Sequence, residues 1–442
     1  MRDEYVVGPD FAELRPLKRS MNKGGEGDEG GKDGKGGKGD EGPESSGFPV
    51  YPDLVERLVD GAEQPDPDGV IPHALAACSA YAYAGFAQRG APDTVATMMA
   101  RLGLERNRCR LFELRVDALY IASAAYLVQD EDRRVVILCY RGTQPEDIIS
   151  ILTDADVRPE TLSVELGGRR HEVHAGFYRT MRASRYLVMR ALERALRGES
   201  VNPDEHDVRG DGMQALYITG HSLGGATAAL MGVVLAHEPR YRAVAQKLRA
   251  VYTFGQPMLG GPDLARACRT AVDERGVHVL RDRLLRYIYD RDVVPALPPR
   301  PVGPYAPFGR EFHYRKARSP VDGVLAALGN AGVEAAALPG RLLRAPLRRL
   351  PEHTARAAER VLSPLRHVPE SGWSEVHEPG RHYPQMDTLA GLAVVAPLAF
   401  FAARLALTRT VPFAYSFDDH GPGHYVNALA PAGVLSEYGD VR

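Results

Sequence analysis

Residues 214–237 read QALYITGHSLGGATAALMGVVLAH and decide how the rest of the sequence is interpreted. An apolar run leads into Gly-His-Ser-Leu-Gly-Gly, and a helix-like pattern of alanine, leucine and methionine follows. Gly220, Ser222 and Gly224 match G-x-S-x-G, in which the serine occupies a tight strand-to-helix turn and glycines flank it because the backbone leaves no room for side chains. The pattern predicts that the turn lifts the Ser222 hydroxyl into the open at a helix N-terminus, which favours developing negative charge. The alternative is a glycine-rich turn with an incidental serine.

The segments around this turn alternate between strand and helix patterns. Residues 71–84 read as a buried helix, and residues 119–128 and 134–140 flank QDEDR as strand, turn and strand. Next come the strand HEVHAGF, a helix over 180–196, the strand ALYIT, the helix after Ser222, and the strands AVYTFG and LLRYIYD. Such alternation predicts an α/β fold with a mostly parallel sheet and helices on both faces.

The chain divides into an N-terminal tail, residues 1–47, and one large domain, residues 48–442. Residues 22–47 contain no aliphatic or aromatic side chain, so burial cannot offset the entropy cost of ordering them. We expect this tail to be disordered. The domain of 442 − 47 = 395 residues has ample length for a single large core.

A long insertion at about residues 315–412 interrupts the alternating pattern. Residues 338–353, LPGRLLRAPLRRLPEH, are basic and amphipathic, and residues 389–403, LAGLAVVAPLAFFAA, are nearly all apolar. The apolar run is shorter than the roughly 20 residues needed to span a bilayer. We expect helices here, either packed on the domain or in peripheral contact with a membrane or lipid interface, with a true span as a third alternative.

The net charge and the cysteine content limit which partners and metal sites the sequence predicts. A formal net charge of −2 gives no bias toward nucleic acid, so no nucleic-acid partner is expected. Cys78, Cys109, Cys139 and Cys268 show no metal-ligand spacing and are expected to be reduced thiols, with Cys139 in the core. No apolar segment follows the basic start, so we expect no signal peptide and a cytoplasmic location, with membrane association through the insertion as an alternative.

A serine hydroxyl is a weak nucleophile, so Ser222 needs a base and an orienting acid. In this type of fold they follow in the order serine, acid, histidine. Asp290 and Asp292 both lie where LLRYIYD breaks into a proline-rich loop, and either could instead form a turn or pair with Arg291. The histidines that follow are His313, His353, His367, His377, His382, His420 and His424.

Acyl transfer also requires hydrogen-bond donors for the oxyanion. One is the backbone N–H after the nucleophile, at Leu223. The other normally comes from a loop after an earlier strand, and VVILCY ends in Arg141-Gly142-Thr143. Thr143 offers a backbone N–H and a hydroxyl, although these three residues alone indicate only a turn.

Five motifs carry a resemblance to a known family: CYRGT, VHAGFY, ITGHSLGGATAAL, VYTFGQPMLG and DRDVVPALPP. Their order and spacing resemble those of class 3 lipases, the fungal-lipase-like α/β-hydrolases. The resemblance implies an α/β-hydrolase fold, a nucleophile at Ser222, an acid at Asp292 and oxyanion donors at Thr143 and Leu223. Water would resolve the acyl-enzyme, so we expect no cofactor, and we expect no metal. His174, in VHAGFY, belongs to the family pattern, and we expect its role to be structural.

The C-terminal stretch SFDDHGPGHYVNAL, residues 416–429, is similar to the D-H-x-x-x-x-Y-x-x-x-L tail of bacterial members. This similarity implies that His420 is the base, with His424 as the rival. The family carries a lid after the oxyanion turn. The counterpart here has a short apolar face at residues 148–152, which fits a lid or a surface helix equally.

The predicted function is hydrolysis of carboxylic esters of lipids, acylglycerol or phospholipid, through an acyl-enzyme. An esterase for soluble or feruloyl-type esters on the same fold is the first alternative. A catalytically silent hydrolase fold that binds a membrane or a partner is the second.

Overall fold

A computed structural model describes residues 49–61, 69–83, 91–116, 121–142, 159–272, 276, 278–298, 305–317, 370–377, 418–431 and 434. The predicted tail, the candidate lid face, and the basic and apolar segments of the insertion lie outside these residues.

The described residues form the following elements. The helices are α1 (Leu54–Asp60), α2 (Val70–Tyr81), α3 (Ala91–Leu102), α4 (Ala175–Leu196), α5 (Leu223–His237), α6 (Arg242–Ala245), α7 (Pro262–Thr270) and α8 (Pro422–Leu429). The strands are β1 (Arg108–Val116), β2 (Ile121–Gln129), β3 (Val135–Tyr140), β4 (Pro159–Leu166), β5 (Arg169–His174), β6 (Ala215–His221), β7 (Leu248–Phe254), β8 (Leu284–Tyr289), β9 (Arg310–Arg315) and β10 (Gly372–Val376).

Eight strands form one mixed sheet in the order β1-β2-β3-β6-β7-β8-β9-β10. The strands from β3 to β9 in this order pair in parallel, and β1, β2 and β10 add antiparallel pairs at the two edges. The mostly parallel sheet predicted from the alternating pattern is therefore confirmed. One predicted strand differs: HEVHAGF does not join this sheet, because β5 pairs with β4 in a separate two-stranded sheet and α4 already begins at Ala175.

Helices cover both faces of the large sheet, as the burial of β3 illustrates. All of its residues are buried, and alternate side chains enter two different apolar clusters. Val136 and Leu138 pack with α4 and α5 on one face, while Ile137 and Cys139 pack with α1, α2, α3 and α8 on the other. Strands buried on both faces read as continuous apolar runs. All four cysteines are free and buried, and Cys139 lies in the core as expected.

The expectation of a helical insertion needs one correction. Its described part, residues 370–377, contains the strand β10, which pairs antiparallel to β9 with Arg315 opposite Gly372. Trp373 stabilises this pairing because its indole is buried in the apolar cluster and its N–H donates to Ala428 O at 2.9 Å. Five residues in a proline-rich stretch show too little periodicity for such a strand to be recognised.

Within the described residues, every helix is too short or too polar to cross a bilayer.

Candidate active site

The serine turn predicted from the sequence is present. β6 ends at His221, α5 begins at Leu223, and Ser222 between them has φ 59° and ψ −127°. A non-glycine residue with positive φ is strained, and such strain is characteristic of functional sites. The Ser222 N–H donates to Phe254 O at 2.8 Å, which joins the turn to the end of β7. The expectation that the turn exposes Ser222 to solvent is wrong in this conformation: its side chain is buried.

Close backbone packing explains both the glycines and the burial of the serine. A Cβ on Gly224 would overlap with the carbonyl of Tyr140 at the end of β3, and one on Gly220 would overlap with the backbone of Gly224. Gly142 lies so close to the turn that a Cβ there would come within 2.6 Å of His221 O. The ends of β3 and β7 therefore close around the serine.

The structure describes one of the two residues predicted to supply oxyanion donors. Leu223 is the first residue of α5, so its N–H is one of the unpaired donors at a helix N-terminus. Thr143 lies outside the described residues. The preceding Gly142 packs against the serine turn, with a Cβ there only 2.6 Å from His221 O, and the role of Thr143 stays a prediction.

Asp292 follows β8 and accepts three hydrogen bonds. Its Oδ1 accepts from the N–H of Val294 at 2.9 Å, and its Oδ2 accepts from His420 Nδ1 at 2.8 Å and from the Tyr425 hydroxyl at 2.5 Å. Burial, followed by the negative charge of Asp292, raises the pKa of Tyr425 well above its ordinary value, so its hydroxyl remains a donor. Because a carboxylate only accepts, His420 must carry its proton on Nδ1, which leaves Nε2 as the basic nitrogen.

His420 packs against the residue that precedes Ser222. The ring of His420 lies 4.5 Å from the ring of His221, the residue before Ser222. Gly255, with φ 58°, allows this, because a Cβ there would come within 2.8 Å of both Asp292 Oδ2 and His420 Cε1. Neither Ser222 Oγ nor His420 Nε2 has a hydrogen-bond partner among the described residues, although both are buried. Ser222 Oγ and His420 Nε2 are therefore not bonded to each other in this conformation, and no other described group bonds to either atom.

The rival candidates occupy other positions. His424 lies in α8 with its ring stacked on that of Tyr289 at 5.2 Å. His313 hydrogen-bonds through Nε2 to Glu311 at 2.6 Å. Asp290 accepts a long hydrogen bond, 3.4 Å, from the backbone of Lys316. His377 is exposed beyond β10, and His353, His367 and His382 lie outside the described residues.

The position of His174 agrees with the structural role expected for it. It precedes α4, is buried, and stacks on Phe177 with ring centroids 4.1 Å apart. Burial lowers its pKa to about 4, so it is neutral at ordinary pH. No group of three or more His, Cys, Asp or Glu side chains with the arrangement of a metal site occurs among the described residues.

Sequence reasoning missed a second histidine at the site. His221 Nδ1 hydrogen-bonds to the Tyr83 hydroxyl at 2.9 Å, and burial, followed by the positive charge of a protonated His420, lowers the pKa of His221 well below its ordinary value. His221 is therefore an uncharged ring that packs beside His420. Its place in Gly-His-Ser was visible in the sequence, but nothing local predicts contact with Tyr83.

A buried arginine joins the loops that carry the acid and Gly255. Arg286 of β8 donates to Gln256 O and Pro295 O, both at 2.7 Å, and pairs with Glu311 at 2.8 Å. The sequence signal for these contacts is the arginine in the otherwise apolar run LLRYIY, because a charge buried in a sheet requires partners.

Replacing Tyr425 by phenylalanine is expected to lower kcat on a soluble ester about 10-fold to 100-fold, because a hydrogen bond to a charged acceptor contributes about 1.5–3 kcal/mol. Steady-state kinetics and thermal unfolding of the variant measure the effect. Tyr217→Phe, which removes a buried hydroxyl bonded to Leu58 O at 3.0 Å, is the matched control. Equal kcat values for the two variants would show that Tyr425 does not assist Asp292.

Residues 137–302 match the family model described as Lipase (class 3). The triacylglycerol lipase OBL1 of Arabidopsis thaliana is 25% identical over 199 residues, covering 38% of this chain and 35% of the relative. A lipase of Rhizopus niveus is 29% identical over 184 residues, covering 40% of this chain and 38% of the relative. This chain thus spans little more than a third of the length of these curated relatives.

The crystal structure of a lipase from Rhizopus microsporus var. chinensis covers 62% of this chain and 84% of its own, at 21% identity and a TM-score of 0.40.

The class 3 lipase resemblance is therefore confirmed over residues 137–302, which contain Ser222 and Asp292. His420 lies beyond the matched residues. The relatives named here are plant and fungal, and the comparisons give no support to a bacterial type.

Proposed function

We propose that this protein is a serine hydrolase of lipid carboxylic esters, with acylglycerols as the first substrate class and phospholipids as the second. The observation that carries the proposal is the hydrogen bond between His420 Nδ1 and Asp292 Oδ2, formed beside a strained serine turn. It directs the basic Nε2 of His420 away from the acid, as a general base for Ser222 requires.

In the proposed reaction, Ser222 Oγ attacks the ester carbonyl while His420 Nε2 takes its proton. The N–H of Leu223 and the donors of Thr143 stabilise the oxyanion. As the tetrahedral intermediate collapses, His420 returns the proton to the leaving alcohol, and Asp292 stabilises the imidazolium throughout. Water then attacks the acyl-enzyme carbonyl while His420 takes its proton, and His420 returns that proton to Ser222 Oγ as the carboxylic acid leaves, so the cycle requires no cofactor.

The preference for lipid esters rests on the similarity of residues 137–302 to class 3 lipases and on relatives named triacylglycerol lipases. An esterase for soluble or feruloyl-type esters would use the same residues. A catalytically silent protein fits the site less well, because Asp292 is hydrogen-bonded to both His420 and Tyr425 beside the serine turn.

A fluorophosphonate probe tests the chemistry before any substrate is known. We expect labelling of the full-length protein and none of Ser222→Ala. A panel of a short soluble ester, a triacylglycerol emulsion and phospholipid vesicles then tests the substrate class. Turnover of the soluble ester alone would favour the esterase, and absence of labelling in the folded protein would refute the hydrolase proposal.

We also expect peripheral contact with a lipid surface, because residues 338–353 combine arginines with leucines. Such contact is compatible with the cytoplasmic location expected from the sequence. Replacing Arg341, Arg344, Arg348 and Arg349 together by glutamine should reduce co-sedimentation with anionic vesicles by about tenfold or more, since each basic residue near such a surface contributes about 1 kcal/mol. Turnover of a short soluble ester should not change. Unchanged vesicle binding would show that these arginines do not contact lipid.

A further inference from the structure

A lysine lies between the segment that carries the acid and the segment that carries the base. Lys316 directly follows β9, and its Nζ lies 2.7 Å from Asp419 Oδ1. Asp419 is the residue before His420, and its side chain is 8% exposed, whereas that of Lys316 is 41% exposed. The ion pair therefore joins a half-buried ammonium to a buried carboxylate beside the proposed base.

The same lysine also contacts the segment that leads to the acid. Its backbone N–H lies 3.4 Å from Asp290 Oδ1, two residues before Asp292. Its ammonium lies 4.9 Å from the centre of the Tyr289 ring, the last residue of β8. Asp290 itself has φ 36° and donates its N–H to Tyr314 O at 2.9 Å, so this turn is strained and held by β9.

The charges around Asp419 show what the lysine does. Burial raises the pKa of Asp419, the ammonium of Lys316 lowers it, the charge of Asp290 raises it, and that of His424 lowers it. Burial acts to lower the pKa of Lys316, but the charge and hydrogen bond of Asp419 raise it above its ordinary value. The ammonium of Lys316 therefore compensates part of the repulsion between the charges of Asp290 and Asp419.

We infer that Lys316 is a positioning residue for the proposed base. By pairing with Asp419 and contacting the β8 turn, it fixes the Asp418–His420 turn relative to the Asp290–Asp292 turn. The inference rests on the proposed function. Loss of this ion pair would let the segment of Asp419 and His420 shift relative to the Asp290–Asp292 turn, and a displacement of about 1 Å in catalytic geometry can cost a hundredfold in rate.

The kinetic test compares Lys316→Met with Lys316→Arg on one short soluble ester. Lys316→Met should lower kcat about 10-fold to 100-fold with KM unchanged within about twofold, because the positioning role acts through His420 and not on substrate binding. Lys316→Arg keeps the charge and should retain at least about a fifth of the wild-type kcat. Lys247→Met, at a half-buried lysine in the turn before β7, is the matched control and should have wild-type kinetics.

A second arm does not depend on any substrate. In protein labelled with ¹⁵N-histidine, the Nδ1 proton shared between His420 and Asp292 should give a low-field resonance, assigned by its loss in His420→Ala. Lys316→Met should shift or broaden it, and Lys316→Arg should restore it. If Lys316→Met does not fold, as judged by circular dichroism, Lys316→Gln replaces it, since a half-exposed position tolerates a neutral polar side chain.

The two arms separate the failure of the positioning role from the failure of the function. A resonance unchanged by neutralising Lys316 would overturn the positioning role, as would a kcat equal to that of Lys247→Met. A wild-type protein that hydrolyses no ester would refute the proposed function, and the resonance would still decide whether Lys316 holds His420.

Discussion

Ser222→Ala should lower kcat on a soluble ester by about 10⁴-fold to 10⁶-fold, because removal of the nucleophile leaves only substrate binding and oxyanion stabilisation. The fold should not be damaged. Alanine has the same Cβ at φ 59°, and the hydroxyl that it removes has no hydrogen-bond partner among the described residues. Loss of a buried unpaired hydroxyl is neutral or stabilising, so the midpoint of thermal unfolding should be equal or higher.

Turnover number and thermal unfolding of the variant provide this test. Ser184→Ala is the matched control, since Ser184 is also a buried serine, hydrogen-bonded within α4 to Met181 O. Wild-type turnover in a folded Ser222→Ala protein would end the hydrolase interpretation.

His420→Ala and His424→Ala should differ in turnover by at least about a hundredfold. We expect a loss of about a thousandfold or more for His420, the scale observed when members of a triad are removed, and less than about tenfold for His424. The geometric reason is that His420 bonds to Asp292, whereas His424 stacks on Tyr289.

The comparison should use one soluble ester, with both proteins checked by circular dichroism. Greater damage from His424→Ala would move the base to that residue. Near wild-type turnover in both variants would return the search to His313 and to the histidines of the insertion.

The sheet and the serine turn could be predicted because their signals are local. β3 is a continuous apolar run, and β6 and β8 are mostly apolar, as expected of strands buried on both faces, and each is bounded by turn residues. Gly220 and Gly224 are required by backbone contacts next to Ser222, so the motif itself carries the geometry.

The contacts that assemble the site could not be predicted in the same way. The bond between His420 and Asp292 spans 128 sequence positions and that between Tyr83 and His221 spans 138, so no pattern within a window contains both partners. The family resemblance supplied the first pair and not the second. The burial of Ser222 was also missed, since it depends on how closely the ends of β3 and β7 approach.

Because Arg315 of β9 lies opposite Gly372 of β10, the chain leaves the sheet and returns to it at adjacent points. Two residues suffice to connect antiparallel neighbours, and each doubling of a flexible connection costs only about 0.6 kcal/mol. The register between β9 and β8, which leads into the turn that bears Asp292, therefore does not depend on the length of the segment between β9 and β10. Variants that carry a different segment in place of residues 318–369 should therefore keep the pairing of β8 with β9.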